Sequence, residues 1–201
     1  MIQRRSLLRG FAALSLFPAL SLLPRGQAAL ALTLGKDAPA TGETAPPFSL
    51  EGVAPSSSGS GASPTPVRLG LADFRGQWLV LYFYPKDFTS GCTIEARGFQ
   101  RDLDLYKRRQ AVVVGVSSDS AKSHDSFCGA EGLAYPLLSD PDGAVSRRYG
   151  SWLAPSALRN TFLIDPDGVV RARWLGVRPL GHSQEILQML ASLQDGGSAS
   201  A

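Results

Sequence analysis

Cys92 stands in the run Tyr84-Pro85-Lys86-Asp87-Phe88-Thr89-Ser90-Gly91-Cys92-Thr93-Ile94-Glu95, and the residues around it are ones that make a thiol reactive. Thr89, three residues before the cysteine, brings a hydroxyl that can donate or accept beside the sulfur. Pro85 can exclude water without competing as a donor. Glu95 lies one helical turn beyond the cysteine and can orient a cation. Arg159, in Leu158-Arg159-Asn160-Thr161-Phe162-Leu163-Ile164-Asp165, is the cation expected from a neighbouring strand. Thiolate, hydroxyl and guanidinium together suit attack on an O–O bond. The sulfur takes one oxygen, charge develops on the departing one, and fixed donors hold that charge.

The elements that must position these groups are legible around them. Leu79, Val80, Leu81, Tyr82 and Phe83 form a continuous apolar run, the pattern of a strand buried in a parallel or mixed sheet. Thr89 and Ser90 offer N-cap oxygens, and Phe99, Leu103 and Tyr106 recur at helical spacing. A cysteine in the first turn of that helix faces unpaired N–H groups and the positive end of the dipole, which favour thiolate. Residues 111–116 read as an apolar strand, Ser120 caps a helix reaching about residue 131, and residues 135–138 form a short strand. A helix over 145–149 follows the Asp142-Gly143 turn, and Asp165-Pro166-Asp167-Gly168 is a hairpin signal between strands at 161–164 and 169–174. Ser183 caps a last helix with Ile186, Leu190 and Leu193 on one face. This order is thioredoxin-like: an α/β fold with a central mixed β-sheet flanked by helices. Short strands at 48–50 and 67–69 make an N-terminal β-hairpin extension of it.

The spacing Pro85-x3-Thr89-x2-Cys92-x2-Glu95 resembles the active-site pattern of peroxiredoxins. The longer Tyr82-Phe83-Tyr84-Pro85-Lys86-Asp87 and Gly91-Cys92-Thr93 context is similar to the peroxiredoxin Q (bacterioferritin comigratory protein) branch. The resemblance spans about residues 42–193 and takes in Pro136-Leu137-Leu138-Ser139-Asp140 and Arg159-x-Thr161-Phe162-Leu163-Ile164-Asp165. It implies that Cys92 is the peroxidatic cysteine and that Thr89 and Arg159 hold the peroxide and activate the thiolate. Pro85 would shield the pocket and Glu95 would support the arginine. The implied activity is reduction of hydrogen peroxide and small alkyl hydroperoxides by a monomer without metal, haem or flavin. Thioredoxin or a similar dithiol would re-reduce it. A non-catalytic redox sensor or binding module is the reading from another class, but it does not require the Pro85, Thr89 and Arg159 set.

The only other cysteine, Cys128, lies 36 positions on. There is no Cys-x-x-Cys, which counts against a thioredoxin or disulfide isomerase. Arg97 stands five residues after Cys92, where many peroxiredoxin Q proteins carry a resolving cysteine. Cys128, in Ser123-His124-Asp125-Ser126-Phe127-Cys128, matches the variant with its resolver on the following helix. The resemblance therefore implies that a Cys92 sulfenic acid condenses with Cys128 into an intramolecular disulfide. A permanent structural disulfide and a buried spectator thiol are the two competing readings. Bridging needs Cα atoms within about 7 Å, so the helical turns at 89–95 and 127–131 are expected to unwind between redox states.

The chain ends and the composition bound the rest. Gln3-Arg4-Arg5-Ser6-Leu7-Leu8-Arg9, an apolar stretch over 11–23 and Ala29-Leu30-Ala31 together form a twin-arginine export signal over residues 1–31, directing the protein to a periplasm or thylakoid lumen. The apolar stretch is shorter than the roughly 20 residues of a spanning helix, so no stable membrane association is expected after signal removal. Four of the 20 basic residues, Arg4, Arg5, Arg9 and Arg25, fall in that leader, leaving 16 against 17 acidic ones. Nothing basic then argues for nucleic acid. Residues 32–201 suit one domain, with a flexible Ser/Gly/Pro-rich insert at 54–66 and a flexible tail at 195–201. His124 and His182 read as surface or satisfied histidines rather than metal ligands.

Overall fold

The computed structural model describes residues 37–55 and 64–197. The expected leader and residues 56–63 of the insert lie outside them. In chain order the elements are β1 (Ser49–Ala54), β2 (Thr65–Gly70), a 3-10 turn (Leu71–Phe74), β3 (Trp78–Phe83), α1 (Ser90–Arg108), β4 (Ala111–Ser117), α2 (Ala121–Glu131), β5 (Leu137–Ser139), α3 (Ala144–Arg148), β6 (Trp152–Leu153), β7 (Ser156–Ala157), β8 (Asn160–Ile164), β9 (Val170–Leu175) and α4 (His182–Gly197). Seven strands form one sheet in the order β2-β1-β5-β4-β3-β8-β9, with β6 and β7 a separate ribbon.

The uninterrupted apolar run of β3 has its reason in the sheet's centre, where both faces are covered. Val80 and Tyr82 face a core built with Phe99, Leu103 and Tyr106 of α1, Phe127 of α2 and Ile186 and Leu190 of α4. Leu79, Leu81 and Phe83 face the other side, against Val145, Tyr149, Phe162 and Ile164. β3 runs parallel to β4 and antiparallel to β8, with Phe83 opposite Asn160. The end of β3 therefore lies beside the start of β8.

Several boundaries differ from the expected ones. β1 and β2 pair through Ala54↔Thr65, so Ala54, Thr65 and Pro66 of the expected insert belong to strands. The last helix starts at His182, ahead of the expected Ser183 cap. The Gly181 carbonyl accepts from the N–H groups of Gln184 and Glu185, so backbone starts the helix. That helix runs to Gly197 and takes in three residues of the expected tail. The two-residue strands β6 and β7 are too short to leave a periodic signal. No helix among the described residues is long and apolar enough to cross a membrane.

Gly52 sits where β1 crosses close to β5, and a Cβ there would stand 2.1 Å from the Leu137 carbonyl oxygen. Backbone cannot step aside as a side chain can. Gly52→Ala should therefore lower stability by about 1–3 kcal/mol by pushing the hairpin off the sheet edge, read as a lower urea midpoint. An unchanged midpoint would mean that β1 is not held to β5 as described.

Candidate active site

Three elements converge on Cys92. The segment leaving β3 carries residues 84–89, α1 begins at Ser90 with Cys92 as its third residue, and Arg159 immediately precedes β8. Cys92 is 1% exposed. Arg159 Nη2 donates a hydrogen bond to Cys92 Sγ at 3.3 Å, while its Nη1 donates to Glu95 Oε2. Gly91 gives the guanidinium room, since a Cβ there would lie 3.2 Å from Nη2. The Arg159 carbonyl accepts from the Val177 N–H at 2.8 Å, which ties the backbone behind it.

Burial dominates the electrostatics of this pair. The Glu95 carboxyl is pushed up to about 7 by desolvation, against the pull of Arg159. Burial works against the Arg159 charge too, but Glu95 and Cys92 outweigh it and hold the guanidinium more firmly protonated than usual. A cation kept charged inside the protein can stabilise a thiolate and the oxygen that leaves when it reacts.

The expected hydroxyl donor is placed differently. Thr89 occupies the N-cap position of α1 with extended backbone, but its side chain makes no cap bond. It is exposed and donates to the Lys86 carbonyl at 3.0 Å instead of lying on the sulfur. The reason is local: that carbonyl, three residues back in a tight turn, competes for a short hydroxyl side chain. Pro85 is half-buried at the end of β3. Phe88 adopts φ +60°, a region costly to a residue with a bulky side chain, and its exposed ring rests edge-on against Phe127 at 5.0 Å.

Cys128, on α2, is a free thiol buried in the same core cluster as Cys92. Desolvation pushes it up to about 12, and the charges of Asp87 and Asp125 add to the effect. Between the two thiols' elements lies a polar cluster that the sequence did not announce. Asp87 accepts from the Tyr84 hydroxyl at 2.7 Å and the Ser123 hydroxyl at 2.7 Å, and it bonds His124 Nδ1 at 3.0 Å. Its backbone N–H donates to Asp119. Burial would raise the Asp87 carboxyl, but the bonds from His124, Ser123 and Tyr84 win and hold it below the usual range. His124 is therefore neither at the surface nor fully satisfied: it is completely enclosed, and its Nε2 has no partner. The available signal was its position one helical turn before Cys128. Among the described residues no group of three or more His, Cys, Asp or Glu side chains could hold a metal ion.

Residues 41–173 match the model of the AhpC/TSA family. The chain belongs to the AhpC/TSA family. Within it, the peroxiredoxin Bcp of Xanthomonas campestris pv. campestris is 41% identical over 124 residues, 57% of this chain and 77% of that protein. The peroxiredoxin Bcp of Bacillus subtilis is 35% identical over 133 residues, 62% of this chain and 85% of that one. Among solved structures, a peroxiredoxin Q variant of Xylella fastidiosa superposes with a TM-score of 0.66 at 33% identity, covering 78% of this chain and 98% of that one. This AhpC/TSA chain is thus a peroxiredoxin of the Bcp/Q branch with the thioredoxin-like α/β fold, and it is a thiol-dependent peroxidase.

The enclosed Glu95 makes a pH prediction. Its carboxyl binds a proton more tightly when folded, at about 7, than at its ordinary value of 4.5. Its contribution to stability is fully present below the ordinary value and is lost as pH rises through the folded one. The loss amounts to roughly 3 kcal/mol at most. Glu95→Gln should remove that decline, so that the urea midpoint falls more between about pH 5 and pH 7.5 in the unmutated protein than in the variant. An equal pH dependence in both proteins would remove Glu95 as its source.

Proposed function

We propose that Cys92 is the peroxidatic residue of this peroxidase and Cys128 its resolving partner, with Arg159 holding the peroxide and Glu95 holding Arg159. The observation that carries the reading is the hydrogen bond from a half-buried, charged guanidinium to the Cys92 sulfur. The thiolate attacks one peroxide oxygen, an S–O bond forms and the O–O bond breaks. The other oxygen leaves with the electron pair beside Arg159 and takes a proton. Cys128 then attacks the sulfenic sulfur, an S–S bond forms, and the oxygen departs as water. A thioredoxin-like dithiol, the reductant class used by the family, returns both thiols.

Hydrogen peroxide and small alkyl hydroperoxides are the proposed substrates. Alkyl peroxide reduction is the activity named for a Xanthomonas campestris bacterioferritin comigratory protein that is 35% identical to this chain. Phe88 and Ile94 flank Cys92 in sequence and stay exposed, offering apolar surface to an alkyl group. In Thr89, the reading requires the hydroxyl to leave the Lys86 carbonyl and turn to the peroxide, with Pro85 closing the pocket behind it. The proposed form is a monomer.

Cys92→Ser should abolish peroxide consumption in an assay supplied with a dithiol reductant, since a hydroxyl supplies almost no anion at neutral pH. Arg159→Met should slow Cys92 oxidation by about 100-fold or more in stopped flow. Cys128→Ser should consume one equivalent of peroxide and hold a sulfenic acid visible by mass. Turnover by Cys92→Ser would end the assignment. A single equivalent consumed by the unmutated protein, without turnover, would favour the sensor reading.

Export through a twin-arginine route is proposed from Arg4-Arg5 and the Ala29-Leu30-Ala31 segment. In a host with that pathway, the exported protein should begin after Ala31, and replacing Arg4 and Arg5 together with lysine should leave the full-length chain in the cytoplasm. Processing of the doubly substituted chain at the unmutated rate would argue for another route.

A further inference from the structure

The cluster beside the resolving helix contains one group that the cycle above leaves idle. His124 is fully enclosed, yet its two ring nitrogens stand in opposite circumstances. Nδ1 lies 3.0 Å from Asp87 Oδ2 and 3.4 Å from the Tyr84 hydroxyl. Asp87 is an ionised acceptor, already bonded by the Tyr84 and Ser123 hydroxyls, so Nδ1 carries the ring hydrogen. Nε2 keeps a lone pair and has no hydrogen-bond partner although it is buried. Leaving such an atom unpaired and away from water is costly, so the fold carries a penalty there that packing alone does not explain. A carboxylate behind Nδ1 and a bare Nε2 in front is the arrangement by which a histidine acts as a general base.

A thiol in need of a base lies on the same helix. His124 and Cys128 are four residues apart on α2, one turn of the same face, and both are buried. The protonated Cys128 is a poor nucleophile, because desolvation and the nearby Asp87 and Asp125 hold its proton on. Among the described residues the Cys128 sulfur makes no hydrogen bond in this wound, reduced state.

We propose that His124, backed by Asp87, is the general base that activates Cys128 in the resolving step. The inference rests on Cys128 being the resolver. As the turn at 127–131 loosens, Nε2 takes the proton from Cys128 Sγ. The thiolate electron pair forms the S–S bond to Cys92, and the S–O bond breaks with its pair. The departing hydroxide recovers the proton from Nε2 and leaves as water. Two thiol-derived groups, Cys128–SH and Cys92–SOH, become one disulfide and one water, with no other reactant.

The test is a single turnover of the reduced full chain with one equivalent of hydrogen peroxide, following peroxide loss and, by alkylation and mass, disulfide formation. His124→Gln keeps an amide donor for Asp87 but supplies no base. Disulfide formation should slow by about 100-fold in this variant, while oxidation of Cys92 keeps its rate. The slow step should also become proportional to hydroxide. The groups whose titration bears on it are Asp87 and Tyr84 from the segment after β3, Asp119 after β4, and Asp125 and Cys128 on α2. Ser123→Ala removes a bond to the same Asp87 oxygen without touching the base, and should form the disulfide at nearly the unmutated rate. Disulfide formation at the unmutated rate in His124→Gln, or equal slowing in Ser123→Ala, overturns the inference and leaves a structural cluster. If His124→Gln does not fold, His124→Asn decides, since it leaves the Asp87 charge beside Cys128 in place: a slowed second step supports the base, and an unmutated one removes it. Should the unmutated protein turn over without forming a Cys92–Cys128 bond, the resolver reading itself fails. That outcome is distinct from a disulfide that forms regardless of His124.

Discussion

Glu95 is tolerated inside the protein because Arg159 lies across it, and Arg159 reaches Cys92 with one arm because the other is tied to Glu95. Removing Arg159 would leave the buried Glu95 carboxyl without its partner, the costly half of an internal ion pair. This mutual dependence dictates the surrounding architecture. β8 must run antiparallel to β3, so that the residue before Asn160 arrives at the end of β3 where α1 begins. A parallel β8 would put Arg159 at the opposite end of the sheet. Gly91 leaves room for the guanidinium, which a Cβ there would press by a few tenths of an ångström. The sheet order thus serves one hydrogen bond to sulfur.

The second cysteine places the opposite demand on the fold. Cys92 and Cys128 share a packed core while reduced, and packing at interior density does not yield continuously, so they meet only if a segment opens as a unit. The anchors on α2 are unequal along its length. Its first turns are fixed by Ser123 and His124 to the buried Asp87, and Ser120 caps its start by accepting from the Ser123 N–H. Its last turn is tied to α1 by an ion pair between Arg97, whose side chain is 67% exposed, and Glu131. Water reaches the Arg97 side of the pair and screens it, although Glu131 itself is mostly covered. α2 ends at Gly132 in left-handed conformation, a natural stop for unwinding. The proposed cycle needs the segment 127–131 to open, which lifts Phe127 out of the core with Cys128, while the polar bonds to Asp87 keep the first half of α2 on the active-site loop.

Much of this was written locally in the chain. The apolar run of β3, the cysteine at the start of α1, the Asp165–Gly168 turn and the Ser120 cap are short-range patterns, and the structure follows them. The Arg159–Cys92 contact spans 67 positions, and only the motif resemblance, not periodicity, brought those residues together. What was illegible is long-range or competitive. The Thr89 hydroxyl goes to the Lys86 carbonyl, a partner set by the turn before the helix and not by the spacing to Cys92. Asp87 and His124 each look like ordinary polar residues, and their burial follows from how α2 packs on the segment after β3. Gly52 and the true limits of the insert depend on strand pairing, which a Gly- and Ser-rich stretch does not encode.

The charges around the two thiols also order the reaction. Cys92 faces a guanidinium held charged by its own carboxylate, whereas Cys128 faces two carboxylates, Asp87 and Asp125. The Cys92 sulfur accepts a hydrogen bond from a cation, whereas burial and two carboxylates oppose an anion at Cys128, within a single core. On the proposed assignment, a peroxide entering the reduced protein meets Cys92 first, because Cys128 keeps its proton. The condition that makes Cys128 inert is burial next to Asp87, and this is what local opening of 127–131 relieves. Opening brings the thiol toward water and toward Cys92 in the same movement. In the proposed cycle the suppression of Cys128 is thus eased when its target is in reach, where His124 can take its proton.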